Sequence, residues 1–241
     1  MKKLLLYILC LTPLLYACAK TDATKVDNRT LPEIYDAAYQ KLDKKDYTTA
    51  VSEFQNAERN FPSSEWAADA LAMAAYSAYL DGDFAGALTI TDRFMRFHPG
   101  HDDVPYILYL RGMSYYRQVS DVRREPGMSM MAMNAFQQLV DRFPNSTYAD
   151  NARNKILILK NYVAGKIMYS ARRDMAAQNW PSAINQLQTI VTTSAGTVMA
   201  PEALFRLTEA YTAIGLPDQA RGYADMLRLN YPDDVWTKKL K

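Results

Sequence analysis

Cysteine is almost absent from this 241-residue chain: Cys10 and Cys18 are the two it has. Cys10 lies inside the apolar run from Leu4 to Leu15, in a segment expected to be removed, which leaves Cys18 alone. A lone thiol cannot close an intrachain disulfide. Long hydrophobic runs are missing too, because that run is shorter than the roughly 20 residues a membrane-spanning helix needs. Charge of one sign is not in excess. Removing Lys2 and Lys3 from the 28 basic residues leaves them equal to the 26 acidic ones, which argues against a nucleic-acid binder and its concentrated basic surface. Histidine occurs only as His98 and His101. With Asp102 and Asp103 beside them they have the residue types of a metal site. His98, however, stands where comparable segments carry Phe or Tyr before Pro, so packing explains it and no metal is assigned. No Ser-His-Asp, Cys-His, P-loop or dinucleotide-binding pattern occurs, so no catalytic residue and no cofactor are assigned.

Tyrosine, by contrast, is abundant, with 17 residues against 8 Phe and 3 Trp, and one punctuation recurs. Phe61-Pro62-Ser63-Ser64, His98-Pro99-Gly100, Phe143-Pro144-Asn145-Ser146 and Tyr231-Pro232-Asp233 each come after an apolar helical face. Proline cannot donate a backbone hydrogen bond and disfavours helix in the residue before it, while Asn and Ser cap the next helix. Ala50, Ala87, Ala132 and Ala220 each lie the same distance before one of these prolines. A small residue there lets two helices of a hairpin approach closely. The spacing from Pro62 to Pro99 is close to the roughly 34 residues of a tetratricopeptide repeat. The fold expected is all-α, an α-solenoid of about five tetratricopeptide-like helical hairpins.

At the start of the chain, residues 1–17 read as a signal peptide, with Lys2 and Lys3 before the apolar run. It ends in Leu15-Tyr16-Ala17-Cys18, which resembles a bacterial lipobox except for Tyr16. Cys18 is then the lipid-attachment residue; an ordinary secretory signal is the alternative. Ala19 in place of an Asp favours the outer membrane. Residues 18–30 read as a flexible tether after the lipidated Cys18. The array covers 31–232, with N-terminal hairpins over 31–144 and C-terminal hairpins with a long helix over 145–232; 233–241 is a tail, read as solvated and fraying. The third hairpin carries an insertion around Asp121 to Gly127. The fourth replaces a normal first helix with a long one from Thr147 to Arg173, expected to protrude. Trp180-Pro181 reads as a helix start.

In such arrays the first helices line a concave groove. Helical phase puts Tyr35, Tyr39, Tyr76, Tyr79, Tyr106, Tyr109 and Tyr116 on that side of the first three hairpins, with Asp69 and Ala72 beside them. Met168, Arg172, Glu202 and Phe205 are among the equivalents in the last two. A groove of tyrosine rings can take the aromatic residues of an extended peptide while the hydroxyls keep partners in water. The alternative is that several of these rings pack between hairpins. Met128, Met130, Met131 and Met133 read as core filling or as adaptable partner surface.

The combination of a lipobox, five hairpins, an insertion in the third and then AFQQLVDRFPNSTYADNARNKILILKNYVAGKIMYSARR resembles the BamD family of lipoproteins, also labelled YfiO or ComL. The likeness runs from about Leu31 to Pro232 and is strongest from Met130 to Arg173. It implies a non-catalytic component of the outer-membrane β-barrel assembly machinery, lipid-anchored at the periplasmic face through Cys18. The implied partners are the periplasmic domains of the barrel-forming core subunit, bound through the C-terminal hairpins, other assembly lipoproteins, and unfolded outer-membrane proteins, bound by the N-terminal hairpins. A tetratricopeptide adaptor lipoprotein that regulates periplasmic proteases or envelope constriction is the other function this sequence accommodates.

Overall fold

A computed structural model of the chain describes residues 27–119 and 126–240. Cys18, the signal segment, most of the tether and residues 120–125 of the insertion lie outside the described residues. In the stretch before residue 31, Arg29 closes an ion pair with Asp27 at 2.6 Å. From Leu31 onward the described residues form ten α-helices and one short 3-10 turn, with no strand among them. None of these helices is long and apolar enough to cross a membrane.

The helices pair into five hairpins: α1 (Leu31–Asp43) with α2 (Tyr47–Asn60), α3 (Trp66–Asp81) with α4 (Phe84–Phe97), α5 (Val104–Arg117) with α6 (Pro126–Arg142), α7 (Ala149–Ala176) with α8 (Trp180–Thr193), and α9 (Ala200–Ala213) with α10 (Pro217–Asn230). Each helix also packs on the next one along the chain, so the hairpins stack in sequence order. The turns inside hairpins share a design. Lys45, Gly82, Gln178 and Gly215 take the left-handed conformation that ends a helix. In the first two hairpins an aspartate comes next: the Asp46 carboxylate accepts from the Thr49 amide, and that of Asp83 from the Gly86 amide. These are N-caps for the second helices.

The turns between hairpins repeat one hydrogen-bond ladder. The amides of Phe61, Ser64 and Ala67 donate to the carbonyls of Ala57, Phe61 and Ser64, and His98, His101 and Val104 repeat the pattern. So do Phe143, Ser146 and Ala149, and then Ser194, Thr197 and Ala200. The three proline-marked breaks between hairpins are therefore one structural unit. It recurs at Ser194-Ala195-Gly196, where no proline announces it.

The alanines in phase with those breaks are at the centre of the packing. Ala50, Ala87 and Ala132 are fully buried and Ala220 nearly so, and Ala38, Ala75 and Ala171 on the first helices are fully buried too. Phe54, Phe94 and Phe136, one from each of the first three second helices, fill the space between, each with 0% exposure. Gly112 takes the place of a first-helix alanine, and there a Cβ would stand 2.4 Å from the Phe136 ring.

The long helix of the fourth hairpin is a single α7 of 28 residues, but it does not protrude as expected. Its first half supplies Ala152, Ile156 and Leu159 to the core of the first three hairpins. Its second half supplies Ala164, Met168 and Ala171 to the core of the last two. Extra length is needed because one helix serves two cores. The tail also differs from the expectation of a fraying end. Trp236 packs on Phe205 with ring centres 5.2 Å apart, and the Lys239 ammonium lies 3.9 Å from the Trp236 ring centre.

The contact between Gly112 and Phe136 yields a direct test. Gly112→Ala should destabilise the array by about 1–3 kcal/mol through overpacking, despite the helix propensity gained. Urea denaturation followed by circular dichroism measures it, and a stabilised variant would show that the ring yields freely.

Candidate functional site

The first three hairpins hold a cavity of about 480 Å³ between their first helices. α1 contributes Tyr35 and Tyr39, one helical turn apart, and α3 contributes Trp66, Asp69, Ala72, Met73 and Tyr76. The residue before α5, Asp103, and its first-turn Tyr106 close a third side, with Tyr148 from the turn before α7. The rings support one another. Tyr35 lies 5.2 Å from Trp66 and 5.5 Å from Phe54, both edge-on, and Tyr39 meets Phe54 at 5.3 Å and 89°. Edge-to-face pairs of this kind fix ring orientation. Tyr106 touches Tyr148 at 5.5 Å.

The phase argument thus brings Tyr35, Tyr39, Tyr76 and Tyr106 together around one cavity, with Asp69 and Ala72 beside them. Tyr79, Tyr109 and Tyr116 do not line it. Tyr79 packs on Phe84 at 5.7 Å. Tyr109 stacks on Tyr148 at 5.2 Å and donates its hydroxyl to Asn151 Oδ1 at 3.0 Å. Tyr116 lies beneath the Lys155 ammonium, 4.6 Å from its ring centre. For these three the packing alternative describes the surroundings better, since α4 and α7 cover them. Trp66, Asp103 and Tyr148 line the cavity without having been read from sequence. Trp66 carried a signal, being one turn before Asp69 on the same face of α3. Tyr148 and Asp103 sit in turns, where helical phase gives no information.

The cavity is electronegative. Burial, then the neighbouring Tyr39, Asp69 and Asp103, push the Tyr35 phenol far above its ordinary value. Burial, then other phenols and Asp103, do the same for Tyr106. Burial and Asp69 raise Tyr39. All three hydroxyls stay protonated at any physiological pH and can donate hydrogen bonds. His101 lies beside the two carboxylates, with Nε2 3.8 Å from Asp69 and Nδ1 3.9 Å from Asp103.

The last two hairpins hold a hollow of about 470 Å³ lined by Arg172, Met175, Trp180, Arg206 and Glu209, with no tyrosine among its lining residues. Met168, expected to face the groove, has 0% exposure in the second core. Glu202 is also buried, gripped by Arg172, whose Nε donates to Oε1 at 2.8 Å, and approached by Arg206. Burial pushes the Glu202 carboxyl up, but the hydrogen bonds and charges of Arg172 and Arg206 outweigh it and hold it below the usual range. These positions join the fourth hairpin to the fifth. A second hollow, about 670 Å³, lies along α9 and α10 with Arg221, Arg228 and Leu240 at its rim.

Known proteins are similar to this chain in sequence. Residues 27–226 match the family described as YfiO, outer membrane lipoprotein. The outer membrane protein assembly factor BamD of Caulobacter vibrioides is 33% identical over 218 residues, covering 90% of this chain and 72% of that protein. The protein of the same name in Rickettsia prowazekii is 33% identical over 203 residues, covering 84% of this chain and 81% of the other. Among solved structures, the tetratricopeptide domain of P58(IPK) aligns with a TM-score of 0.46 and 13% identity, over 86% of this chain and 53% of that one.

Proposed function

The chain belongs to the YfiO family of outer membrane lipoproteins, and from that premise we propose that it is a non-catalytic assembly factor for outer-membrane β-barrel proteins. Relatives from Caulobacter and Rickettsia carry the name of such a factor. In this reading the chain is anchored by acylation of Cys18 at the periplasmic face of the outer membrane. It works beside the barrel-forming core subunit and other assembly lipoproteins, and receives unfolded barrel proteins in the aromatic cavity of its first three hairpins.

The observation that carries the client reading is the cavity itself. A segment about to become a β-strand is extended and apolar on alternate residues. No strand edge exists among the described residues to pair with it, so side-chain surfaces must hold it. Tyr35, Tyr39, Trp66, Tyr76 and Tyr106 supply ring faces on a helical scaffold that is already packed. Ring contacts of about 0.5–1.5 kcal/mol each suit a client that must be released.

The partner reading draws on α7. Ile158, Tyr162 and Tyr169 run along one face of this helix at helical spacing, with exposures of 50%, 38% and 75%. An apolar stripe on a helix supported from both ends suits a stable docking surface. Removing everything from Thr147 on is a poor test of it, because Tyr148, Ala152, Ile156 and Leu159 would leave the first core as well. Point changes on the stripe keep the core intact.

Three experiments test this function. Tyr39→Ala combined with Tyr76→Ala should weaken binding of a peptide from the C-terminus of a barrel protein about tenfold, from two lost ring contacts. Fluorescence anisotropy reads it, and unchanged affinity in a folded variant sinks the client reading. Ile158→Glu with Tyr169→Glu should abolish co-isolation of the barrel-forming subunit from outer-membrane extracts, and retained co-isolation removes α7 from the partner surface. Cys18→Ser should release the protein from membrane to soluble periplasm, because the acyl chains supply about 0.8 kcal/mol per buried methylene. Continued tight membrane association of that variant counts against acylation.

A further inference from the structure

The cavity of the first three hairpins contains more than aromatic surface. Asp69, in the first turn of α3, and Asp103, just before α5, both face it. Asp103 occupies an N-cap position, yet its side chain makes no capping hydrogen bond. Its carboxylate is 44% exposed and that of Asp69 51% exposed. Among the described residues neither pairs with an arginine or lysine; His101 is their one basic neighbour. No lysine or arginine lines the cavity. Elsewhere the chain's cations do settle on rings, Lys155 over Tyr116 and Lys239 over Trp236. This cavity has the rings and the negative charges, and the cation is missing.

We propose that the aromatic cavity of the first three hairpins takes a positively charged side chain, arginine or lysine, from the extended segment it binds. The inference rests on the client reading and specifies its chemistry. Ring faces of Tyr and Trp attract a cation through their quadrupoles, and two carboxylates at the rim supply the opposite charge. The same charges disfavour a bare carboxylate. The client's terminal carboxylate therefore lies outside this cavity, which reads an internal basic residue and the apolar residues flanking it.

A metal ion is a weaker occupant for the same residues. Asp69, His101 and Asp103 come close enough to share one. But His101 Nδ1 already accepts the Asp103 amide hydrogen at 3.2 Å. A neutral imidazole whose Nδ1 accepts carries its proton on Nε2, the atom that faces Asp69. That leaves two carboxylates, fewer ligands than the usual coordination of a bound transition metal.

The test uses the full chain and three synthetic peptides. Each copies the C-terminal segment of a barrel protein and differs at one internal position, bearing arginine, citrulline or glutamate. Citrulline keeps the shape of arginine and removes its charge. The arginine peptide should bind about fivefold or more tightly than the citrulline one, and the glutamate peptide weakest. Asp69→Asn with Asp103→Asn should shrink the difference between arginine and citrulline to what the rings alone supply, and high salt should reduce it, because both carboxylates are partly exposed. Equal binding of the arginine and citrulline peptides to the parent overturns the inference and leaves the client reading standing. So does a difference that is undiminished in the double variant. Loss of the preference on adding EDTA overturns it in favour of a bound metal. If no peptide binds, the client reading falls and takes this inference with it.

Discussion

The close approach of paired helices at buried small residues is the contact on which the rest of the structure depends. Ala38, Ala50, Ala75, Ala87, Ala132 and Ala171 are all fully buried, and Gly112 replaces a Cβ that the Phe136 ring would exclude. Only when the helices of a hairpin lie this close can Phe54, Phe94 and Phe136 fill the space between hairpins without leaving voids. Stacking then sets α1, α3 and α5 side by side, and that proximity gathers rings from three separate helices around one cavity. The candidate site is thus a by-product of backbone spacing set elsewhere in each hairpin.

Within that frame the two halves of the array use their concave residues differently. In the first half tyrosines keep part of each ring toward solvent, and two carboxylates stay accessible among them. In the second half two of the corresponding positions turn inward: Met168 is core, and Glu202 is consumed by Arg172 and Arg206. Glu202 is buried while its two arginines reach it from partly exposed positions, so losing them would leave a buried carboxylate unpaired, and this end is built as a joint between hairpins.

Much of this was legible in the sequence, because local rules dominate helical arrays. The alanine phase, the breaks at Pro62, Pro99 and Pro144 and the helix start at Trp180-Pro181 all depend on residues within one or two turns of each other, and the structure agrees with each. Four of the seven candidate tyrosines line the cavity for the same reason: phase tells which way a helix face points. Phase does not tell what a neighbouring element covers. Tyr109 and Tyr116 point as expected, but Tyr148, Asn151 and Lys155 at the α7 end lie against them. Trp66 went unread at a helix start, and Tyr148 in a turn. Ser194 escaped because its ladder forms without the proline that marks the others.

The double duty of α7 changes how the array should be thought of mechanically. A solenoid of independent hairpins is a chain of weakly coupled links, able to fray or melt from either end. Here one helix of 28 residues, roughly 42 Å at 1.5 Å per residue, is anchored in both cores. Pulling it from either core strips the other of part of its filling, so the halves should share one cooperative transition. A sharp bend within α7 would have to disturb its own backbone hydrogen bonds. The helix is a beam shared by two cores.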